Sequence, residues 1–427
     1  MQKVYVEFVP EVAGAIFTGN LYLTLTLTLT LTRPIVCCAG TTLNCLSRWL
    51  DYWFQKLKPL ITTYIKDSAQ LILKLKQVRQ SLYNCWLFTA DAKSMYTNID
   101  TLHAIGIISK WLDSIPLPEG FPLAAVKSAM KLVMNNNIFV WGDCYFLQLL
   151  GTAMGTSAAC MWATIYFAVH KMGSIIPKYG NKLLLFLRFI DDIVGIWVGN
   201  PLDASWDDFK KEVNNFGILE WEFEEPSKKV NFLDLTISIE NDTRITTKTF
   251  QKAMNLYQYL SPMSNHPPGM MKGIIYSLLK TYKNQNTYLE DYLDVVIKLF
   301  NRHASRGWNK AVLKRIILEQ NNKLERQTLL LAHPATLPTN SALETTLERP
   351  NRLFIHMEYS RNDMPKKAVR SIVEATLSNT LEDLQISQTT VAYSRPKNVK
   401  DLLSKAKLHQ AKGKEVSVYY SGEPPSK

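Results

Sequence analysis

Asp191 and Asp192 are adjacent carboxylates set between two apolar runs, residues 183–189 and 193–198. Strand-length apolar runs on either side of a short acidic break predict a β-hairpin with the pair at its tip. Asp also favours turns for its own backbone bonding, so the pair alone is compatible with plain turn chemistry. A further carboxylate changes the balance. Within residues 85–99 an apolar strand is expected to end at Asp91, and Asn98 or Asp100 is placed to cap the amphipathic helix that follows. Three convergent carboxylates can bridge two Mg²⁺ roughly 3.5–4 Å apart, as nucleotidyl transfer needs to activate a hydroxyl and clamp a leaving pyrophosphate. Asp91, Asp191 and Asp192 are therefore the candidate catalytic and metal-holding residues.

Acids drawn from such distant stretches must be brought together by rigid elements. Gln148, Gly151, Met154 and Gly155 lie in a short stretch ahead of the apolar run 158–169. Two glycines at this spacing allow close backbone approach to a ligand, or simply a tight strand-to-helix connection. Residues 145–169 carry no charge and have the length of a membrane span. Gln148, Thr152, Thr156, Ser157 and Thr164 interrupt that run, so a buried helix is the expectation.

The blocks form an ordered series: Arg33-Pro-Ile-Val36, Asp91 through Ile99, Gly151-Thr-Ala-Met154-Gly155-Thr156, Arg188-Phe-Ile-Asp-Asp-Ile193 and Asn231-Phe-Leu-Asp-Leu-Thr-Ile237. Tyr259-Leu-Ser261 with His266-Pro267, Arg306-Gly-Trp308 and residues 392–403 complete it. In this order they resemble the reverse transcriptase domain of Penelope-like retroelements, over roughly residues 33–409. The resemblance implies an α+β right-hand polymerase. Its palm would be an antiparallel sheet with a ferredoxin-like core and helices on one face, preceded by partial fingers and followed by a helical thumb. It implies RNA-directed DNA polymerisation for a retrotransposon, acting in the nucleus, with an RNA template, a DNA primer and dNTPs as partners.

Two Mg²⁺ ions, for which Mn²⁺ could substitute, would sit on Asp91, Asp191 and Asp192. By the same resemblance, Tyr96 matches the residue that screens the sugar 2′ position. Gln148 and the turn containing Gly151, Met154 and Gly155 match the block packed against incoming nucleotide and template. Arg33 matches a fingers position suited to phosphate contact. Lys229 and Lys252 are candidates for protonating the leaving pyrophosphate, although phosphate contact or plain solvation suits them better, and they stay outside the catalytic set.

The chain also departs from the pattern. Where fingers sequence is usual it carries the period-2 repeat of residues 21–32, a low-complexity strand template without charge or proline. Phe189 stands where a tyrosine is usual before the acidic pair, and Ala159-Cys160 replaces Ala-Pro. No GIY-YIG nuclease pattern is found up to Lys427. A reading from another class is thus a catalytically impaired nucleic-acid-binding relic of a retroelement.

The 427 residues are 47% hydrophobic, enough for two or three subdomains with real cores, and a net charge of +12 suits a polyanionic partner. Basic residues gather at Arg302, Arg306, Lys310, Lys314 and Arg315, and again at Lys366, Lys367 and Arg370. The six cysteines include no CxxC pair, which argues against zinc and for a reducing compartment. Glu7 and Glu11 stand where a secretory signal would be basic, so neither secretion nor a membrane partner is expected. His266, beside two prolines, is expected to make a structural hydrogen bond in a turn. The expected organisation is partial or atypical fingers over residues 1–84, palm over 85–255, helical thumb over 256–330, linker over 331–350 and a C-terminal extension over 351–427.

Overall fold

A computed structural model describes residues 6–9, 38, 41–141, 144–267, 269–332, 351–360 and 362–394. Arg33, the repeat of residues 21–32 and most of the expected linker lie outside the described residues. The chain divides into two compact units, Met1–Leu256 with Thr281–Lys298, and Tyr257–Lys280 with Leu299–Lys427.

In the first unit β1 (Val6–Val9) is followed by α1 (Thr42–Lys56) and α2 (Ser68–Gln77). Both helices bury one stripe, Leu50 and Phe54 in α1 and Leu71, Ile72 and Leu75 in α2. Next come β2 (Cys85–Ala92), α3 (Thr101–Ser114), α4 (Leu123–Asn135), β3 (Ile138–Trp141) and β4 (Cys144–Gln148). The residue that caps α3 is Asp100, which accepts from the backbone N–H of Leu102 and His103 at 2.9 and 3.0 Å. Asn98 instead turns back to the Lys93 carbonyl.

The run expected to form a buried helix is α5 (Ala159–His170), in which Met161 through Ala168 are all buried. Among the described residues no helix is long and apolar enough to cross a membrane. After the short α6 (Ile176–Tyr179), the expected hairpin is β5 (Leu183–Phe189) and β6 (Asp192–Val198). Then follow α7 (Ala204–Asn214), β7 (Trp221–Phe223), β8 (Lys229–Phe232), β9 (Leu235–Glu240) and β10 (Arg244–Thr249).

Strands β5-β6-β2-β7 hydrogen-bond in that order, every pairing antiparallel. Read along the chain as β2, α3 to α5, β5, β6, α7, β7, this is a βαββαβ ferredoxin-like sheet, with α4, β3 and β4 as an excursion inside the first crossover. Side-chain alternation splits the sheet into two faces. Phe88, Ala90, Phe186, Ile193 and Trp197 join the core built on α1, α3, α4, α5 and α7. Leu87, Leu187, Val194 and Ile196 join a second core with α2, β8 and β9. Both faces are covered, where helices on one face were expected, and this is why residues 183–198 read as nearly continuous apolar runs rather than alternating ones.

The first core is closely packed where β2 pairs with β6. A Cβ at Gly195 would stand 2.3 Å from Phe88 Cζ and 2.8 Å from the Leu185 carbonyl oxygen. Phe88 is itself held by Trp206 and Phe209, at ring separations of 5.1 and 5.6 Å.

The remaining helices are α8 (Met270–Gln285), α9 (Leu289–Ser305) and α10 (Lys310–Ala332). Within the second unit, Trp308 donates through Nε1 to the Leu260 carbonyl at 2.7 Å, and Arg306 donates to the Tyr259 carbonyl at 3.1 Å. Two of the sequence blocks, 259–261 and 306–308, thus bind each other, and Tyr259 stacks on the buried His303 at 4.3 Å. His266 makes the turn bond expected of it, Nδ1 to Ser264 Oγ at 2.7 Å. Strands β11 (Asn351–Glu358) and β12 (Ile386–Ser394) pair in parallel around α11 (Lys366–Thr376) and α12 (Ser378–Asp383).

Replacing Gly195 by alanine should destabilise the protein by about 1–3 kcal/mol, the usual range for overpacking a filled core. The check is a denaturant titration, in which the midpoint should fall at unchanged slope.

Candidate active site

The sheet brings the candidate acids to one end of its central strands. Asp91, near the end of β2, is the register partner of Asp192, the first residue of β6, so both side chains leave the same face. Directly opposed residues have Cβ atoms about 4.5–5.5 Å apart. Asp191 occupies the turn with Ile190, and the Ala92 N–H donates to the Asp191 carbonyl at 2.9 Å, tying the turn to β2. Burial, then the charges of Asp191 and Asp91, raises the Asp192 carboxyl to about 6, with Lys252 opposing the rise. The three acids therefore interact, and Lys252, just beyond β10, lies within electrostatic reach of them.

The turn is strained. Ile190 has φ 49°, in the left-handed region that a β-branched residue rarely enters. Arg188 holds it there. Its side chain is buried on the opposite face of the sheet from the acids, where NH1 donates to the Ile190 carbonyl at 2.7 Å and NH2 donates to the Thr164 carbonyl in α5. The guanidinium also lies 5.2 Å from the centre of the Phe167 ring. Burial works against its charge, the Asp191 carboxylate favours it, and a guanidinium stays ionised at physiological pH.

Arg188 belongs to one of the sequence blocks yet was not among the expected site residues. A cation inside an apolar strand, two positions before the acidic pair, was the available signal, because such a charge is buried only when its donors are satisfied. Glu222 gave no such signal. It is the register partner of Asp91 on β7, which extends the acidic row to Asp192, Asp91 and Glu222 across three strands. Lys93 stands 3.9 Å from Glu222 and 3.6 Å from Glu220.

Tyr96 lies in a short 3-10 turn, Met95–Thr97, entered through Ser94 at φ 48°. Its phenol contacts Cys160 Sγ at 3.1 Å, on the first turn of α5. Burial, that contact and the nearby Asp191 charge hold the phenol well above its ordinary range. The glycine stretch supports this turn. Gly151, at φ 82°, donates to the Ile99 carbonyl at 3.0 Å, and the Thr152 N–H donates to the Tyr96 carbonyl at 2.5 Å. A Cβ on Gly151 would lie 2.6 Å from the Tyr96 oxygen, so glycine is required here for backbone-to-backbone packing.

Gln148 bonds to the Leu150 carbonyl at 3.0 Å, Met154 is half-buried and Gly155 is exposed. Lys229 is exposed on β8.

Asp91, Asp191 and Asp192 offer hard oxygen donors of the kind Mg²⁺ and Mn²⁺ prefer; burial first, and then the charges of Asp191 and Asp91, raise the Asp192 carboxyl, and a dication would relieve the repulsive part. The donor set therefore fits a divalent ion in type. Among the described residues, though, no three His, Cys, Asp or Glu side chains are gathered closely enough to form a ready-made metal cage.

The first unit thus carries a ferredoxin-like sheet with an acid on its first strand facing an acidic hairpin turn. Solved structures similar to this chain include telomerase from Candida albicans with a fragment of telomeric RNA, at 10% identity and TM-score 0.47, covering 67% of this chain and 48% of that one. Others are telomerase from Candida tropicalis with a fragment of telomeric RNA, at 12% identity and TM-score 0.40 over 81% and 51% of the two chains, and the sicinivirus 3Dpol RNA-dependent RNA polymerase, at 15% identity and TM-score 0.38 over 59% and 54%. The chain spans about half the length of the telomerase structures it matches. No family model matches the chain, and no curated protein matches it. Strand order and the placement of the acids, rather than these likenesses, carry the functional reading.

The Asp192 carboxyl titrates near 6 in the folded protein and near 3.9 in an unfolded chain. Between those values the folded state binds the extra proton, so stability falls as pH rises through the window. Asp192→Asn removes that ionisation and should gain on the order of 1 kcal/mol over wild type at pH 7.5 relative to pH 4, after solvent screening at a half-buried site. Denaturant titrations in EDTA at both pH values check this, and an equal gap at the two would put Asp192 in ordinary solvent.

Proposed function

We propose that this chain is an RNA-directed DNA polymerase, the reverse transcriptase of a Penelope-like retrotransposon. The observation that supports this best is the register pairing of Asp91 with Asp192, with Asp191 in the adjoining turn at the end of a ferredoxin-like sheet. Asp91, Asp191 and Asp192 would hold two Mg²⁺ ions, which when bound polarise a primer 3′-hydroxyl and neutralise charge on the leaving pyrophosphate.

The chain's own residues supply the positioning. Arg188 locks the turn from behind, so the two hairpin acids are presented without loss of order at the moment of reaction. Tyr96, fixed by Cys160 and by the Gly151–Thr152 backbone, offers its ring to the sugar of the incoming nucleotide, where a ribose 2′-hydroxyl would clash. Gln148, Met154 and Gly155 would line the approach of nucleotide and template, and Arg33 would contact phosphate. Lys252 is placed to meet negative charge beside Asp192. In this reading residues 1–84 are the partial fingers, 85–255 the palm and 256–330 the thumb, joined by a 331–350 linker to the 351–427 extension. RNA template, DNA primer and dNTPs are the partners, and the nucleus is the site of action.

The test is extension of a DNA primer on an RNA template in the presence of Mg²⁺. Asp191→Asn/Asp192→Asn should lower incorporation at least about 100-fold, the equivalent of losing roughly 3 kcal/mol of transition-state stabilisation. Incorporation in neither protein, with salt-sensitive RNA binding intact in both, would support a relic instead. In the same assay Tyr96→Ala should lower the preference for dNTPs over rNTPs by about 10- to 100-fold, as expected when a steric contact worth 1–3 kcal/mol is lost. An unchanged preference would remove Tyr96 from sugar selection.

A further inference from the structure

The stretch between α1 and α2 lengthens the sheet and builds a second feature beside it. The Arg188 N–H donates to the Thr63 carbonyl at 2.9 Å and the Ile65 N–H donates to the Arg188 carbonyl at 3.0 Å. Residues 63–65 therefore pair in parallel with Arg188, adding a short extension to the outer side of β5. Asp191 follows Arg188 by three residues, so the extension lies roughly 10 Å along the strand from the carboxylate turn. Cys160, the contact of Tyr96, is also close enough to Tyr64 to act on its phenol electrostatically.

Between this extension and α2 runs a groove of about 400 Å³ lined by Lys58, Thr62, Tyr64, Lys66, Gln70 and Lys74. Every charged side chain lining it is a lysine. Among the described residues, none of the three lysines takes part in an ion pair. The adjacent carboxylate, Asp67, is engaged in capping α2 through the Gln70 N–H at 2.8 Å. Lys58 Nζ lies 5.3 Å from the centre of the half-buried Tyr64 ring, so one wall combines an aromatic face with ammonium groups. Like charges lining one concave surface repel each other and focus a positive potential into it. Lysines beside an aromatic platform are the chemistry that grips a single nucleic-acid strand by its phosphates while leaving a base free to stack.

We infer that this groove is a track for the phosphodiester backbone of a nucleic-acid strand running along β5 to the carboxylate turn. The inference rests on the polymerase reading of that turn. Lys58, Lys66 and Lys74 neutralise consecutive phosphates, and Tyr64 marks the end nearer the acids. The contact is independent of base sequence, because ammonium groups read charge and not base edges.

The test uses the full chain and a fluorescently labelled single-stranded RNA of about 20 nucleotides, with binding followed by anisotropy between about 50 and 200 mM KCl. Lys58→Gln/Lys66→Gln/Lys74→Gln should flatten the plot of log affinity against log salt by about 2, at about 0.7 for each lysine removed from a single-strand contact. The exposed Lys66→Gln alone should flatten it by about 0.7, so the inference stays testable if the triple variant folds poorly. A control, Lys127→Gln/Lys178→Gln/Lys211→Gln, removes lysines held in surface ion pairs and should leave the slope at its wild-type value.

An unchanged slope in both groove variants overturns the track. Flattening with RNA alone assigns it to the template strand; flattening with DNA of the same sequence as well assigns it to either backbone. ATP binding by the wild-type chain that the groove substitutions abolish, with strand binding unaltered, would overturn the track in favour of a free-nucleotide site. Asp191→Asn/Asp192→Asn keeps the groove intact and separates the two readings. If the polymerase reading fails, wild-type incorporation is absent while the groove slopes still change; if the groove fails, incorporation persists and the slopes coincide.

Discussion

The register between β2 and β6 is the constraint on which the site depends. Asp91 and Asp192 face each other because seven consecutive pairs, from Cys85 with Val198 to Asp91 with Asp192, run without a bulge. A slip of one residue would send Asp192 to the opposite face and bring Ile193 out beside Asp91. The hydrophobic alternation prevents that slip. Leu87, Val194 and Ile196 must meet the core built on α2 and β9, while Phe88, Ala90 and Ile193 must meet the one built on α5 and α7. A sheet buried on both faces is thus what fixes two acids on one edge.

That arrangement carries an electrostatic cost, visible in the raised Asp192 carboxyl and in the strained φ of Ile190. Lys252 opposes the first, and Arg188 supports the second, because its guanidinium satisfies the Ile190 carbonyl while its charge interacts with Asp191. Beneath it lies Lys171, completely buried, its Nζ without a hydrogen-bond partner among the described residues. Burial first, and then the Arg188 charge, push this ammonium far below its ordinary range. The Lys171 Nζ lies 5.7 Å from the centre of the Phe186 ring, and the residue opens a π-helical segment, Lys171–Ile175, the kind of local irregularity found near functional sites. The positive support of the hairpin is therefore carried by Arg188, whose donors have acceptors in α5 and in the turn.

The glycine stretch illustrates how one residue can shape a site through its backbone. Gly151 gives up its side chain so that the backbone before α5 can lie against the Tyr96–Ile99 segment. The same contact fixes the start of α5, and with it the position of Cys160 beneath the Tyr96 phenol. Nucleotide selection, in the reading offered above, is therefore set by backbone packing between two chain segments more than fifty residues apart, in addition to the ring itself.

Residue patterns of short range were legible in the sequence. The hairpin of residues 183–198, the buried α5 and a cap at Asn98 or Asp100 all follow from apolar periodicity and local hydrogen bonding, which a few consecutive residues determine; the structure assigns the cap to Asp100. So did the choice of Asp91, Asp191 and Asp192, since carboxylates at strand ends and turns stand out against apolar flanks. The tertiary structure decided what depends on pairing between distant strands: the register that opposes Asp91 to Asp192, the second covered face of the sheet, and Glu222 in the same acidic row. It also decided that Arg188 points into the core and that Lys58, Lys66 and Lys74 line one groove. Side-chain direction and charge neighbourhood follow from long-range packing, where a shift of one residue reverses every face, and that information is not contained in any single stretch of sequence.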